Sequence, residues 1–129
     1  MPTPDDIRVV PTDATFDTAL LRLREAVASR GLTVFAEIDH AANAHDAGLH
    51  MPPTLVLIFG NATSGTPLML KEPNVALELP LRVLVREEPG RGTVLAYHDP
   101  VRLAGAFGVE DLAAGIAGLP ALVSAVASA

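Results

Sequence analysis

Leu32, Val34, Ala36 and Ile38 alternate with Thr33, Phe35, Glu37 and Asp39. That two-residue period predicts a half-buried β-strand. Ahead of it, Phe16, Leu20, Leu23 and Val27 recur at helical spacing and share one face of an α-helix. Thr15 is placed to cap that helix, Asp17 suits its positive first turn, and Arg30-Gly31 closes it. Ile7 to Pro11 predicts a short strand before it. After the alternating strand, the Ala-rich run His40 to Ala47 ends at Gly48 and predicts a short helix capped by Asp39. Thr54 to Phe59 is apolar at nearly every position, the pattern of a strand buried on both faces.

Gly60 to Gly65 predicts a loop, with Thr66-Pro67 as the N-cap and first residue of a brief helix that Pro73 stops. Val75 to Glu87 predicts one or two strands interrupted by Pro80, at an edge or bulge. Glu88 to Gly92 is a turn, and Thr93 to His98 returns as the second strand of a hairpin. Asp99-Pro100 opens a helical segment through Phe107, and Glu110 to Ser128 predicts a final helix. The order of elements implies an α+β fold: a mostly antiparallel sheet with helices packed on one face. Its edge strands invite pairing with a second copy, so a homodimer is expected.

The 129 residues suit a single domain, 1–129, and half of them are hydrophobic. Nine basic residues against fifteen acidic ones leave a net charge of −6. That balance argues against a nucleic-acid partner, because such binding neutralises phosphates with Lys and Arg. There is no cysteine, which excludes disulfides, thiol catalysis and Cys-ligated metals. The first residues are polar and acidic rather than signal-like, and a cytoplasmic location is the expectation. Leu112 to Ala129 carries no charge, but Ala, Gly, Ser and Pro120 dilute its hydrophobicity; a packed terminal helix is expected rather than a membrane anchor.

The densest polar cluster is Glu37-Ile38-Asp39-His40, with His45-Asp46 and His50 nearby. His40 and His45 are five residues apart and do not share a helix face, and His50 lies beyond Gly48. No metal and no cofactor is therefore expected, although His98 and Asp99 could join a carboxylate–imidazole set, and Asp39 could simply cap a helix. The second candidate is the segment Gly60, Asn61, Gly65 and Thr66, whose free backbone N–H groups could hold an anion. It lacks the lysine and spacing of a phosphate loop, and an ordinary strand-to-helix turn is the alternative. Tyr97 and Asp99, at the end of the hairpin, complete the candidate ligand-binding set.

Several of these segments, in order, resemble the bacterial and archaeal domain-of-unknown-function family 302. They are Phe16 to Leu23, Glu37-Ile38-Asp39-His40 with the helix to Gly48-Leu49, and Leu57-Ile58-Phe59-Gly60-Asn61. Gly65-Thr66-Pro67-Leu68-Met69, Leu79-Pro80-Leu81-Arg82 and Tyr97-His98-Asp99-Pro100 follow. The resemblance covers a core of about 16–109, with a C-terminal helix at 110–128 outside it. This chain has Ala62 where the family typically has Pro, and His98 where it more often has Asn. The resemblance implies a TATA-binding-protein-like antiparallel sheet and homodimers; it implies no reaction, substrate or cofactor. Two functions stay open: a homo-oligomeric module binding a small polar or anionic ligand or a partner protein, and a small acid–base or metal-assisted enzyme using Asp39 and His40. A groove where His40 meets the 60–66 segment is the expected site.

Overall fold

A computed structural model describes residues 4–129. Its strands are β1 (Ile7–Thr12), β2 (Thr33–Asp39), β3 (Thr54–Gly60), β4 (Leu81–Glu88) and β5 (Gly92–His98). Its helices are α1 (Phe16–Ser29), α2 (His40–Asp46), α3 (Ala62–Lys71), α4 (Pro100–Phe107) and α5 (Leu119–Ser128). The strands form one antiparallel sheet in the order β1-β5-β4-β3-β2. The chain is thus α+β, with an open sheet whose two edges are β1 and β2.

The expected caps form. Thr15 accepts a hydrogen bond from the Thr18 amide, Asp39 from Ala42 and Asp99 from Val101. At the β4–β5 hairpin, Gly90 and Gly92 hold φ values of +79° and +91°, which only glycine adopts without strain. The main core lies between the sheet and the pair α1 and α5. Leu23 and Val27 of α1 and Leu122 and Val123 of α5 meet Leu57, Phe59, Val83, Val85 and Leu95 from the strands. Each such side chain contributes about 1.5–3 kcal/mol on burial. A smaller cluster of Leu68, Val75, Ala104, Val109 and Ile116 ties α3 and α4 together beyond the sheet end.

Five expectations are corrected. β2 is not half-buried but exposed along its whole length. It sits at the sheet edge, where α1 reaches it through the Arg24–Glu37 ion pair at 2.6 Å rather than through buried apolar contacts, and its register shifts between Val34 and Ala36. β3 buries Leu55, Leu57 and Phe59, while Val56 and Ile58 on the other face are only half-buried. Pro80 interrupts no strand: Val75 belongs to a 3-10 helix, Pro73–Leu77, and β4 begins at Leu81. Helix α3 starts at Ala62, so Thr66 is no cap and Pro67 lies inside the helix. The final helix is two pieces, a 3-10 helix Glu110–Gly115 and then α5, with Gly115 and Gly118 at the break. By composition Glu110–Ser128 is long and apolar enough to cross a membrane, with mean hydropathy 1.5. Here Leu119, Leu122, Val123 and Val126 are buried, and α5 packs on α1 and β1.

Candidate binding site

The antiparallel pairing separates the predicted site residues. Asp39 lies opposite Leu55 and Thr33 opposite Gly60, so Asp39 and Gly60 are at opposite ends of the sheet. Six residues of strand put about 20 Å between them. His40 therefore does not meet the 60–66 segment, and no groove joins them. Asp39 Oδ1 accepts from the Ala42 amide at 2.9 Å, and His40 is exposed. The His45 and His50 rings lie 6.1 Å apart. Among the described residues no three His, Cys, Asp or Glu side chains gather as a metal-ligand set.

Gly60, Asn61, Gly65 and Thr66 do share a cavity, of about 150 Å³, but its character differs from the expectation. Its other walls include Leu32, Phe35, Met69, Leu79, Pro80 and Ile116. The Thr63, Ser64 and Gly65 amides, donors expected to hold an anion, are already engaged. Asn61 Oδ1 accepts from the Thr63 amide at 2.8 Å, and the Asn61 carbonyl accepts from Ser64 at 3.2 Å and Gly65 at 2.8 Å. The segment is the first turn of α3, and its own helix consumes those groups.

Polar chemistry gathers instead in a larger cleft of about 450 Å³ at the same end of the sheet. Antiparallel pairing brings the start of β1 beside the end of β5, Ile7 opposite His98. The Asp99 amide donates to the Asp6 carbonyl at 2.7 Å, which fastens the two segments. His98 Nδ1 lies 2.9 Å from Asp6 Oδ2. The hydrogen bond from His98 is the main cause holding the Asp6 carboxyl below the usual carboxylate range. Asp99 has two tasks: Oδ1 caps α4, and Oδ2 accepts from Arg8 at 2.9 Å. Arg82 sits 3.9 Å from Glu78. Arg102 also lines the cleft, and among the described residues no carboxylate lies within 4.0 Å of it. Leu81, Leu103, Ala106, Phe107 and Leu119 form the apolar wall.

Tyr97 points its ring into the main core beneath this cleft. Burial, helped by the nearby Asp99 carboxylate, raises its phenol above the ordinary range. Of the eight predicted residues, Gly60, Asn61, Gly65, Thr66, Tyr97 and Asp99 lie at one end of the sheet; Asp39 and His40 lie at the other. The sequence pattern does not single out Asp6, Arg82 and Arg102 as site residues. One signal was available: a cation three residues after a capping Asp-Pro stays on the helix's first exposed turn.

Residues 8–127 match the family described as domain of unknown function DUF302. The chain belongs to that family. A crystal structure of an uncharacterized conserved DUF302 protein from Bacillus stearothermophilus shares the fold, with a TM-score of 0.79 at 18% identity over 95% of this chain and 96% of that one. The DUF302 chain also resembles proteins named fluoride-specific ion channel FluC 1. It is 41% identical to that of Brucella suis over 83 residues, 64% of this chain and 33% of the relative. The Brucella abortus protein of the same name gives 41% over 83 residues, 31% of its length. The chain thus spans about a third of the length of these relatives.

Proposed function

We propose that this DUF302 chain is a small-molecule-binding module and that its ligand occupies the cleft between the end of β5 and α4. The observation that carries this reading is the cleft itself. Its volume of about 450 Å³ falls in the range of small-molecule sites, and it sets a few charged groups on an apolar wall. The enzyme alternative built on Asp39 and His40 has less support, because neither residue lines the cleft of about 450 Å³ or the cavity of about 150 Å³. The FluC likeness supports a domain that can be joined to a membrane protein. It does not carry ion conduction to this chain, which spans only about a third of the length of those relatives. Amide resonances of Leu103, Ala106 and Phe107 report on the reading. A screen of acidic, basic and neutral metabolite-sized compounds is expected to move them saturably with at least one class. If every class leaves them still, the reading is wrong.

A second observation favours a homodimer. α1 and α5 cover one face of the sheet; the other carries Val9, Ile38, Val56, Ile58, Leu84, Val94 and Ala96. A sheet facing water ordinarily alternates apolar-in with polar-out, and here both sets are apolar. Arg82 and Arg86 sit toward the two ends of the central strand β4, with Leu84 between them. An apolar centre with a charged margin is the anatomy of an interface. Five strands of about six residues give a flat area of roughly 500 Å². With side-chain relief this approaches the ~800 Å² per partner of a standard interface. The occupant proposed is a second copy, sheet face on sheet face. Light scattering should return twice the 13.4 kDa chain mass, and Leu84→Arg should return the monomer. A monomeric wild-type chain refutes it.

A further inference from the structure

Resting on the cleft reading above, we infer that the ligand is a small amphipathic monocarboxylate, its carboxylate held by Arg102 and its compact apolar body laid along α4. The charges in and around the cleft nearly cancel. Asp99 is paired with Arg8 at 2.9 Å, Asp6 lies 2.9 Å from the His98 ring and also feels the Arg102 charge at longer range, and Glu78 stands 3.9 Å from Arg82. Arg102 is the lining cation that no carboxylate among the described residues approaches within 4.0 Å. A guanidinium offers a planar fork of donors that matches a carboxylate in two parallel hydrogen bonds.

The sign and number of charges on the ligand follow from this arrangement. A cationic ligand would face Arg102 and Arg82, while each lining carboxylate already has an arginine or an imidazole within 4.0 Å. A dianion such as a phosphate would bring two negative charges beside Asp6, Glu78 and Asp99 with one uncommitted cation to answer them. A single negative charge is the most that one guanidinium without a close carboxylate can pair.

The apolar part of the ligand is set by the helix. Leu103, Ala106 and Phe107 fall at i, i+3 and i+4, so they form one stripe of α4. Arg102 precedes Ala106 by four residues and stands beside that stripe. Leu119 and Leu81 also line the cleft. An acid whose head reaches Arg102 therefore lays its body on Phe107 and Leu103.

The test is a titration of the ¹⁵N-labelled full chain at neutral pH with benzoate and hexanoate. Benzamide, hexylamine and inorganic phosphate are the comparison probes. Benzoate and hexanoate are expected to move the Leu103, Ala106 and Phe107 amides saturably, and the comparison probes to bind at least about tenfold more weakly, as loss of a charge-assisted hydrogen bond implies. Arg102→Gln, an exposed change whose folding circular dichroism checks, should weaken benzoate by a similar factor and leave benzamide unchanged. Benzamide, hexylamine or phosphate binding the same residues as tightly as benzoate would overturn the ligand class and leave the cleft reading standing. Unchanged benzoate affinity in Arg102→Gln would overturn the anchor. If no probe moves those amides, the monocarboxylate inference falls. The cleft reading falls with it only if the broader metabolite screen is also silent.

Discussion

Replacing Gly115 with alanine should destabilise the domain, although the backbone there suits any residue. A Cβ at position 115 would lie 2.7 Å from Ser64 Oγ and 3.3 Å from Ser64 Cα, and closer still to Ser64 Cβ. Rotating the Ser64 hydroxyl relieves only the first of these. The rest requires α3 to move away from the 3-10 helix Glu110–Gly115, which packs against it. Overpacking of this kind costs about 1–3 kcal/mol. The gain from a stiffer unfolded chain offsets about 0.4–1 kcal/mol. The expected net loss is about 1–2 kcal/mol. For a domain of this size that lowers Tm by roughly 3–10 °C. A thermal melt followed by circular dichroism reads it. Ser64→Gly in the same chain should recover most of the loss, with a coupling of about 1–2 kcal/mol in the double-mutant cycle. Gly118→Ala is the control, since no atom lies within 4 Å of its added Cβ and its φ is −77°. It should leave Tm level or raise it slightly. A Gly115→Ala chain melting at or above wild type would refute the packing of α3 on this segment.

Asp39→Ala removes the cap of α2 and should cost about 0.5–2 kcal/mol, whereas the exposed His40→Ala should leave denaturant midpoints unchanged; the reverse ranking would show that Asp39 is no cap. Tyr97 is the only tyrosine, so an ultraviolet titration sees it alone, and its midpoint should lie above the ordinary value of about 10. Because the folded state holds that proton more tightly, stability should fall as pH rises from the ordinary tyrosine value through the folded one; a midpoint at the ordinary value refutes the burial of the phenol. His98→Ala should raise the Asp6 pKa toward the usual range, read from its carboxyl carbon by NMR. In the wild type the stabilisation tied to Asp6 is present above its unfolded pKa and is lost as pH falls through the depressed folded value; in His98→Ala that acid-side loss should shrink.

Much of the fold can be read from short-range pattern. The period of Phe16, Leu20, Leu23 and Val27 marks the buried stripe of α1 almost residue for residue, because a helix shows its core face to the sequence directly. Thr15, Asp39 and Asp99 announce caps that form, since a cap is a contact within three residues. Errors arise where local chemistry has two readings. Thr66-Pro67 looks like a helix start, but Asn61 captures the nucleation site five residues earlier and Pro67 is tolerated inside. β2 alternates as a half-buried strand should, yet alternation does not say how much of a helix lies above it; at the edge, α1 reaches it only through the Arg24–Glu37 pair and leaves it exposed.

The site was harder to read because it depends on which strand ends coincide. In an antiparallel pair the end of one strand meets the start of its neighbour. Two strands joined in sequence and paired side by side, such as β2 and β3, therefore finish at opposite ends of the sheet. That rule alone separates Asp39-His40 from Gly60-Asn61, and it needs only the expectation that β2 and β3 are adjacent. The converse is not local. Asp6 and His98 are 92 residues apart, and they meet because β1 closes the edge beside β5 rather than beside β2. The short connection between β1 and β2 is spent on α1, which crosses the whole sheet before β2 begins at the far edge. Once that crossing is known, the start of β1, the end of β5, the start of β4 and the end of β3 must share one end of the molecule. The polar residues there, Asp6, Arg82, His98 and Asp99, become neighbours by topology, with Arg102 following on the helix that leaves β5.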